Sequence, residues 1–283
     1  MHMFKSVGLV GVGAMGQALL HRLILAGARV RAFDISEEAM TAARKLGAET
    51  VGSAAEAARG VEAVHLFVRT DAEEMAATTG PGGVLEGAAP GTVLILHSTV
   101  LPETTRRVAE AAAKVKVDVV DAPVTAVPRH VHAGEAVFLL GGDPKVVARA
   151  RPHLEALGER SYHFGPLGSG NVAKIAKNLA TAIERVAAAE IVWLAEAGGL
   201  DPKDFFEMMR AEHNHPVMQR WDAAFTIENG HAVPRPASNL LNKDVGLAAE
   251  YARARNVTAR VTKGAADTAA EWVAQWEKEG RAR

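Results

Sequence analysis

No cysteine occurs among the 283 residues. That removes disulfides, thiolate nucleophiles and cysteine-ligated metals from consideration. An excess of charge of either sign is also missing. Lys and Arg total 32 against 33 Asp and Glu, a formal net charge of -1, so nothing points to nucleic acid or an anionic membrane as partner. No apolar run approaches the roughly 20 residues of a membrane span. The N-terminal stretch MHMFKSVGLVGVGAMG enters a strand pattern almost at once. It shows no long apolar segment followed by a small-residue cleavage site, so we expect no secretory leader and a cytoplasmic location. What is present is ordinary for an enzyme: 48% hydrophobic and 23% charged residues. At roughly 150 residues per domain, the length allows two domains.

The first half alternates short β-branched runs with amphipathic stretches. Strands are expected at 6–10, 28–33, 62–68, 92–97, 115–122 and 136–142, with helices near 14–27, 36–46, 102–113 and 143–157. Strands alternating with helices of this length predict right-handed crossovers and a parallel sheet covered on both faces. The texture changes near Gly168. From Asn171 to Ala197 there is neither Gly nor Pro, and Ile175, Leu179, Ala182, Val186 and Ala189 recur at helical spacing. Helical patterns continue at 201–212, 215–226, 238–254 and 258–278, and no strand is expected after about residue 164. The reading is an α/β Rossmann-type domain over 1–165, joined by a long helix to an all-α domain over 166–283.

Gly11, Gly13 and Gly16 stand in G-x-G-x-x-G spacing, after one expected strand and opening an expected helix. Gly11 would permit the tight turn, Gly13 the approach of pyrophosphate, and Gly16 close helix–strand packing. The backbone of Gly11, Val12, Gly13, Ala14, Met15 and Gly16 is then the candidate phosphate cradle at a helix N-terminus. Asp34 ends the second strand about twenty residues on, where a carboxylate accepts from an adenosine ribose and repels a 2′-phosphate. This favours NAD, with NADP possible. Arg31 argues the other way on charge, and Asp34 or Ser36 could instead cap the next helix. Ser98 and Thr99 follow the strand at 92–97. They either face the nicotinamide or cap the helix near Pro102. Arg69, after the strand at 62–68, is a weaker cofactor candidate at the same edge.

The loop after DVVDAPV carries Thr125, Ala126 and Val127. Its amides could hold a substrate carboxylate, or it could be a plain strand connection. Further on, GSGNVAKIAKN places Lys174 and Lys177 near a helix start, where the backbone dipole disfavours cations.

Four motifs in order, GLVGVGAMG, DAPVTAVPRHVHAGE, GSGNVAKIAKN and NKDVGLA, make the chain resemble the β-hydroxyacid dehydrogenases, which include 3-hydroxyisobutyrate dehydrogenase and tartronate semialdehyde reductase. The resemblance covers nearly the whole chain. It implies a helical domain that closes over the active site. It also implies that Lys174 is catalytic, that Asn178 contacts substrate, and that Lys243, beside Asp244, lies near the nicotinamide. The spacing agrees: Lys174 and Asn178 are i and i+4 and project from one helix face. A lysine exchanging protons near neutral pH needs a lowered pKa. Partial desolvation, the helix dipole and Lys177 would all act that way, although Lys177 itself reads as a surface residue.

The sequence departs from that family where a serine and two glycines usually follow DAPV. The bulk of Thr125, Ala126 and Val127 should reshape the carboxylate pocket. Arg129 could bind a second anionic group but reads more simply as exposed. His130 and His132, and His213 and His215, lack the i, i+4 spacing of a helical metal site and have no obvious carboxylate partner, so no metal is expected. Trp193, Trp221, Trp272 and Trp276 read as core or interface aromatics. The expected activity is hydride transfer between a nicotinamide cofactor and a small β-hydroxy acid or its semialdehyde. The alternatives are an imine reductase or a catalytically silent NAD-binding regulator. A homodimer or homotetramer is expected from the long helix and apolar tail.

Overall fold

The computed structural model describes residues 3–212, 225–235 and 239–280. These form two compact units, Met1–Lys174 and Ile175–Arg283.

In the first unit, six strands form one parallel sheet. They are β1 (Ser6–Val10), β2 (Arg29–Phe33), β3 (Glu49–Thr50), β4 (Ala63–Leu66), β5 (Val93–Leu96) and β6 (Asp118–Asp121), in the order β3-β2-β1-β4-β5-β6. The reversal of order beside β1 is the Rossmann arrangement, with its ligand crevice at the carboxyl ends of the strands. Residues 63–66 and 93–96 are buried at every position. Strands buried along their whole length follow from cover on both faces. One face packs under α1 (Ala14–Leu25), α2 (Glu37–Leu46), α7 (Pro128–Ala133) and α8 (Pro144–Leu157), with Leu19, Leu20, Leu23, Ile95, Phe138 and Leu154 fully buried among them. The other lies under α3 (Ala54–Ala58), α4 (Asp71–Thr79), α5 (Val84–Gly87) and α6 (Pro102–Lys114). Caps follow local rules. The hydroxyls of Ser36, Ser53 and Thr70 accept from the amides three residues on, and Pro102 and Pro144 open their helices.

Several expectations need correction here. The run expected as a strand at 136–142 does not join the six-stranded sheet. It pairs in parallel with β8 (Arg160–His163) as β7 (Val137–Leu140), and it meets β6 only through the antiparallel bridges Asp121–Gly141 and Val124–Phe138. The short strands β3 and β8 and the short helices α3, α4, α5 and α7 were not expected. Each is too brief, or too rich in alanine, to show a period.

The second unit is built on α9 (Ser169–Ala197), α10 (Pro202–Glu212), α11 (Asn239–Ala254) and α12 (Arg260–Lys278), with α9 beginning in the first unit. It is helical but not strand-free: β9 (Phe225–Glu228) and β10 (His231–Pro234) form an antiparallel hairpin. Asn229 and Gly230 take φ of 52° and 83° at its turn. Asn-Gly is the dipeptide that suits a two-residue hairpin with positive φ at both positions, and it overrides the helical reading at 225 and 226; the rest of that reading, 215–224, lies outside the described residues. Phe225 and Ala232 pack against Val192, Phe206, Trp272 and Trp276. Trp193 is more exposed and donates from Nε1 to the Ala232 carbonyl. His213, His215 and Trp221 lie outside the described residues. None of the helices among the described residues is long and apolar enough to cross a membrane.

Candidate active site

At the β1–α1 turn the three glycines meet three different constraints. Gly11 has φ +89°, and a Cβ there would stand 1.9 Å from the Phe67 carbonyl oxygen. At Gly16 a Cβ would stand 2.1 Å from the Gly11 carbonyl oxygen. Around Gly13 a Cβ would meet nothing within 4 Å. Gly11 and Gly16 are thus demanded by the fold, whereas Gly13 is demanded by nothing in the protein. Gly13 is also the N-cap of α1, with no side-chain hydrogen bond to the first-turn amides and no acidic residue in the first turn. Gly13 and Ala14 are exposed, and Met15 is half-buried. Such an open, positively polarised cradle suits an anion.

Asp34 lies beside this turn. Its Oδ2 accepts from the Val12 amide at 2.6 Å and its Oδ1 from the Ser36 amide at 2.8 Å. The carboxylate therefore ties the glycine turn to the end of β2, and two of its four lone-pair directions remain for a ligand. Capping of α2 falls to the Ser36 hydroxyl, which accepts from Ala39. Arg31 is drawn away to Glu49, at 3.3 Å, and to the Arg59 carbonyl at 2.9 Å.

At the next strand ends, Ser98 is buried and its Oγ accepts from the Val68 amide at 3.2 Å. Neither Ser98 nor Thr99 caps α6: its N-cap is Leu101, whose amide donates to Asp71 of α4, as does the Thr104 hydroxyl. Arg69 is exposed and paired with Glu73 at 3.1 Å.

The carboxyl end of β6 organises the start of α9. Asp121 is fully buried; its Oδ1 accepts from the Gly168 amide at 2.7 Å and its Oδ2 from the Asn171 amide at 2.9 Å. Burial pushes this carboxyl up, and the Gly168 and Asn171 amides pull it back down. Asn171 is buried too: its Oδ1 accepts from Val100, and its Nδ2 donates to Thr105. A Cβ at Gly170 would stand 2.1 Å from the Leu139 carbonyl oxygen, so the helix begins hard against β7. This framework directs Lys174 back to the loop, where Nζ donates to the Val124 carbonyl at 2.7 Å. The dipole-unfavourable lysine is thereby held by the sheet's own edge.

Of the loop amides expected to hold a carboxylate, that of Thr125 is already committed to the Val137 carbonyl. Ala126 is half-buried and Val127 is 49% exposed, the latter as N-cap of α7. On α7 one of the two histidines, His130, does have a carboxylate partner, contrary to expectation, while His132 is a packing residue. His130 pairs with Glu135 and accepts from Arg129, and His132 stacks on His21 with centroids 3.7 Å apart. No group of three or more metal-ligating side chains that could hold an ion occurs among the described residues.

Within the second unit, Asn178 is buried and its Nδ2 donates to Asp244 Oδ2 at 2.6 Å. Lys243 Nζ lies 3.4 Å from Asp244 Oδ1. The exposed Lys177 reaches Asn178 Oδ1 at 3.4 Å.

Sequence reasoning passed over Asp121 and Asn171. The available signals were an acidic residue at the end of an otherwise apolar strand and a polar residue inside the glycine-rich boundary motif.

Residues 6–165 match the family described as the NAD binding domain of 6-phosphogluconate dehydrogenase, and residues 168–281 that described as NAD-binding of NADP-dependent 3-hydroxyisobutyrate dehydrogenase. The chain is 35% identical over 260 residues to a 3-hydroxyisobutyrate dehydrogenase of Pseudomonas aeruginosa, covering 88% of this chain and 85% of the relative. It is 31% identical over 261 residues to an NAD-dependent L-serine dehydrogenase of the same organism, covering 88% and 86%. The solved Mycobacterium tuberculosis 3-hydroxyisobutyrate dehydrogenase with L-serine superposes with a TM-score of 0.84 at 29% identity, covering 96% of this chain and 94% of that one.

Proposed function

Because the chain belongs to the β-hydroxyacid dehydrogenase family, we propose that it oxidises a small β-hydroxy acid to its semialdehyde or oxo acid, reversibly, with Lys174 as the proton acceptor and donor. The observation that carries this reading is the 2.7 Å bond from Lys174 Nζ to Val124 at the carboxyl end of β6. It keeps the ammonium at the sheet edge where Rossmann folds hold their ligands. A nicotinamide cofactor held at the glycine turn and Asp34 would supply the hydride acceptor in oxidation, and the Lys174 amine takes the hydroxyl proton. In reduction Lys174 returns that proton to the oxygen.

The open face at Gly13 and the uncapped amides of α1 fit a pyrophosphate, and Asp34 fits the ribose. Arg31, paired with Glu49 and with the Arg59 carbonyl, is committed elsewhere, which supports NAD over NADP. For Arg69, Ser98, Thr99 and Lys243 we keep the cofactor assignment on motif position, and for Thr125, Ala126, Val127 and Asn178 the substrate assignment. The boundary near residues 165–166 is our reading of where the cofactor-binding part ends. Exposed Ile191 and Leu194, 43% and 77% accessible on α9, support a homodimer or homotetramer. We place the enzyme in the cytoplasm.

The test is a panel of β-hydroxy acids, 3-hydroxyisobutyrate and L-serine included, assayed with NAD and NADP by nicotinamide absorbance. We expect turnover with at least one and a preference for NAD; a panel silent with both nucleotides refutes the reading. Gly13→Ala separates ligand from scaffold at the glycine turn. Its Cβ meets no protein atom within 4 Å, so stability should change by about 1 kcal/mol or less. The KM for NAD should rise by about tenfold or more, since the methyl occupies the path of the phosphates. An unchanged KM would remove Gly13 from the cofactor site.

A further inference from the structure

Among the described residues of the first unit three histidines are buried, with His65, His97 and His153 no more than 2% exposed. Leaving a buried polar group unpaired costs about 1–3 kcal/mol, and these three spare one another that cost by forming a chain. His97 Nδ1 lies 2.8 Å from the Ala122 carbonyl, His97 Nε2 2.8 Å from His65 Nδ1, and His65 Nε2 2.9 Å from His153 Nε2.

A carbonyl can only accept, and that fixes the whole chain. His97 Nδ1–H donates to Ala122, so the other nitrogen of its neutral ring accepts from His65 Nδ1–H. The remaining His65 nitrogen accepts in turn from His153 Nε2–H. Burial lowers all three rings, His97 and His153 to about 4, so the chain is neutral near pH 7. Of the six ring nitrogens in the chain, His153 Nδ1 alone lacks a hydrogen-bond partner among the described residues. Phe67 stacks on His97 with centroids 4.6 Å apart.

The chain runs across strand ends. His65 lies in β4, His97 one residue past β5, and Ala122 one residue past β6. The Ala122 amide still follows the ladder to Leu96, but its carbonyl is held by a side chain. Two residues on, the Val124 carbonyl receives Lys174. Beyond Ala122 the loop is fixed by β7, through Leu139 to Pro123 and Thr125 to Val137. On the β6 side it is fixed by His97.

Resting on the assignment of Lys174 above, we infer that His97, oriented by His65 and His153, is a positioning residue for catalysis: it sets the peptide exit of β6 so that the Val124 carbonyl holds the Lys174 amine in place.

The experiment compares His97→Leu, which loses the donor, with His97→Asn, whose amide nitrogen takes the place of imidazole Nδ1. Lys174→Ala is assayed beside them. We expect His97→Leu to lower kcat by about tenfold or more with the KM for NAD unchanged within twofold, because a preorganised geometry is lost while the nucleotide turn is untouched. His97→Asn should restore kcat to within about threefold of the parent. Should His97→Leu not fold, His97→Gln replaces it, since its amide sits at the Nε2 position and misses Ala122. A folded loss variant with parental kcat overturns the proposal. So does His97→Asn as impaired as His97→Leu, or a KM for NAD that moves along with kcat, or a loss of folding in both Leu and Gln variants. An active Lys174→Ala instead refutes the assignment of Lys174, so the two failures are told apart.

Discussion

Lys174→Ala is expected to reduce kcat with the best hydroxy acid by about 10³-fold while leaving NAD affinity within about twofold. The side chain is half-buried and makes its bond to the Val124 carbonyl, whereas the glycine turn and Asp34 are held by separate contacts. The loss should therefore fall on chemistry rather than on nucleotide binding. It should fall little on folding, because Asp121 and Asn171 fix the start of α9 without the lysine. Lys174→Arg should be nearly as impaired. Guanidinium stays protonated in proteins and cannot accept the hydroxyl proton. Steady-state rates, NAD titration and thermal unfolding of the three proteins decide the matter. A Lys174→Ala variant with parental turnover would leave the proton without an assigned acceptor and refute the mechanism.

Much of the site's first unit was legible in the sequence because its constraints are local. Three glycines, a strand before them and an Asp at the next strand end form a pattern within 29 residues, 6–34. Gly16 is set by the Gly11 carbonyl and Asp34 by the Val12 and Ser36 amides, all close in sequence. What was not legible depended on contacts far apart in the chain. Asp121 reaches amides 47 and 50 residues on. His65 reaches residues 32 and 88 positions away, and a histidine inside a strand gives no sign of where its ring will bond. That the sheet is parallel was readable from alternation, but the fate of β7 was not. Its apolar run satisfies a six-stranded sheet as well as a two-stranded one, and the outcome is set by where the chain turns at 123–127. The hairpin at 225–234 was a different kind of omission. Its Asn-Gly signal was present and was outweighed by the helical texture on either side.

The histidine chain makes the protein acid-labile in a defined window. His97 and His153 titrate at about 4 in the folded state, from 6.5 in an unperturbed chain, with burial as the first cause in both. Between those values the unfolded chain binds protons that the native state refuses. Stability is therefore complete above about pH 6.5 and falls as pH drops toward 4. At pH 5 each ring costs about 2 kcal/mol, and the pair should lower Tm by roughly 10 °C relative to pH 7.5. Protonation also breaks the chain at its anchor, because a cationic His97 can no longer accept from His65 at Nε2. His153→Gln tests the origin of the effect. An amide still donates to His65 but does not titrate, and His65 is itself lowered by burial, so the variant should lose about a third of the Tm difference between pH 7.5 and 5. It should do so even if its Tm at pH 7.5 is lower, since the comparison is of slopes. Equal Tm differences in parent and variant would show that the acid sensitivity arises elsewhere, among the surface carboxylates, and that His153 is already accommodated as a cation.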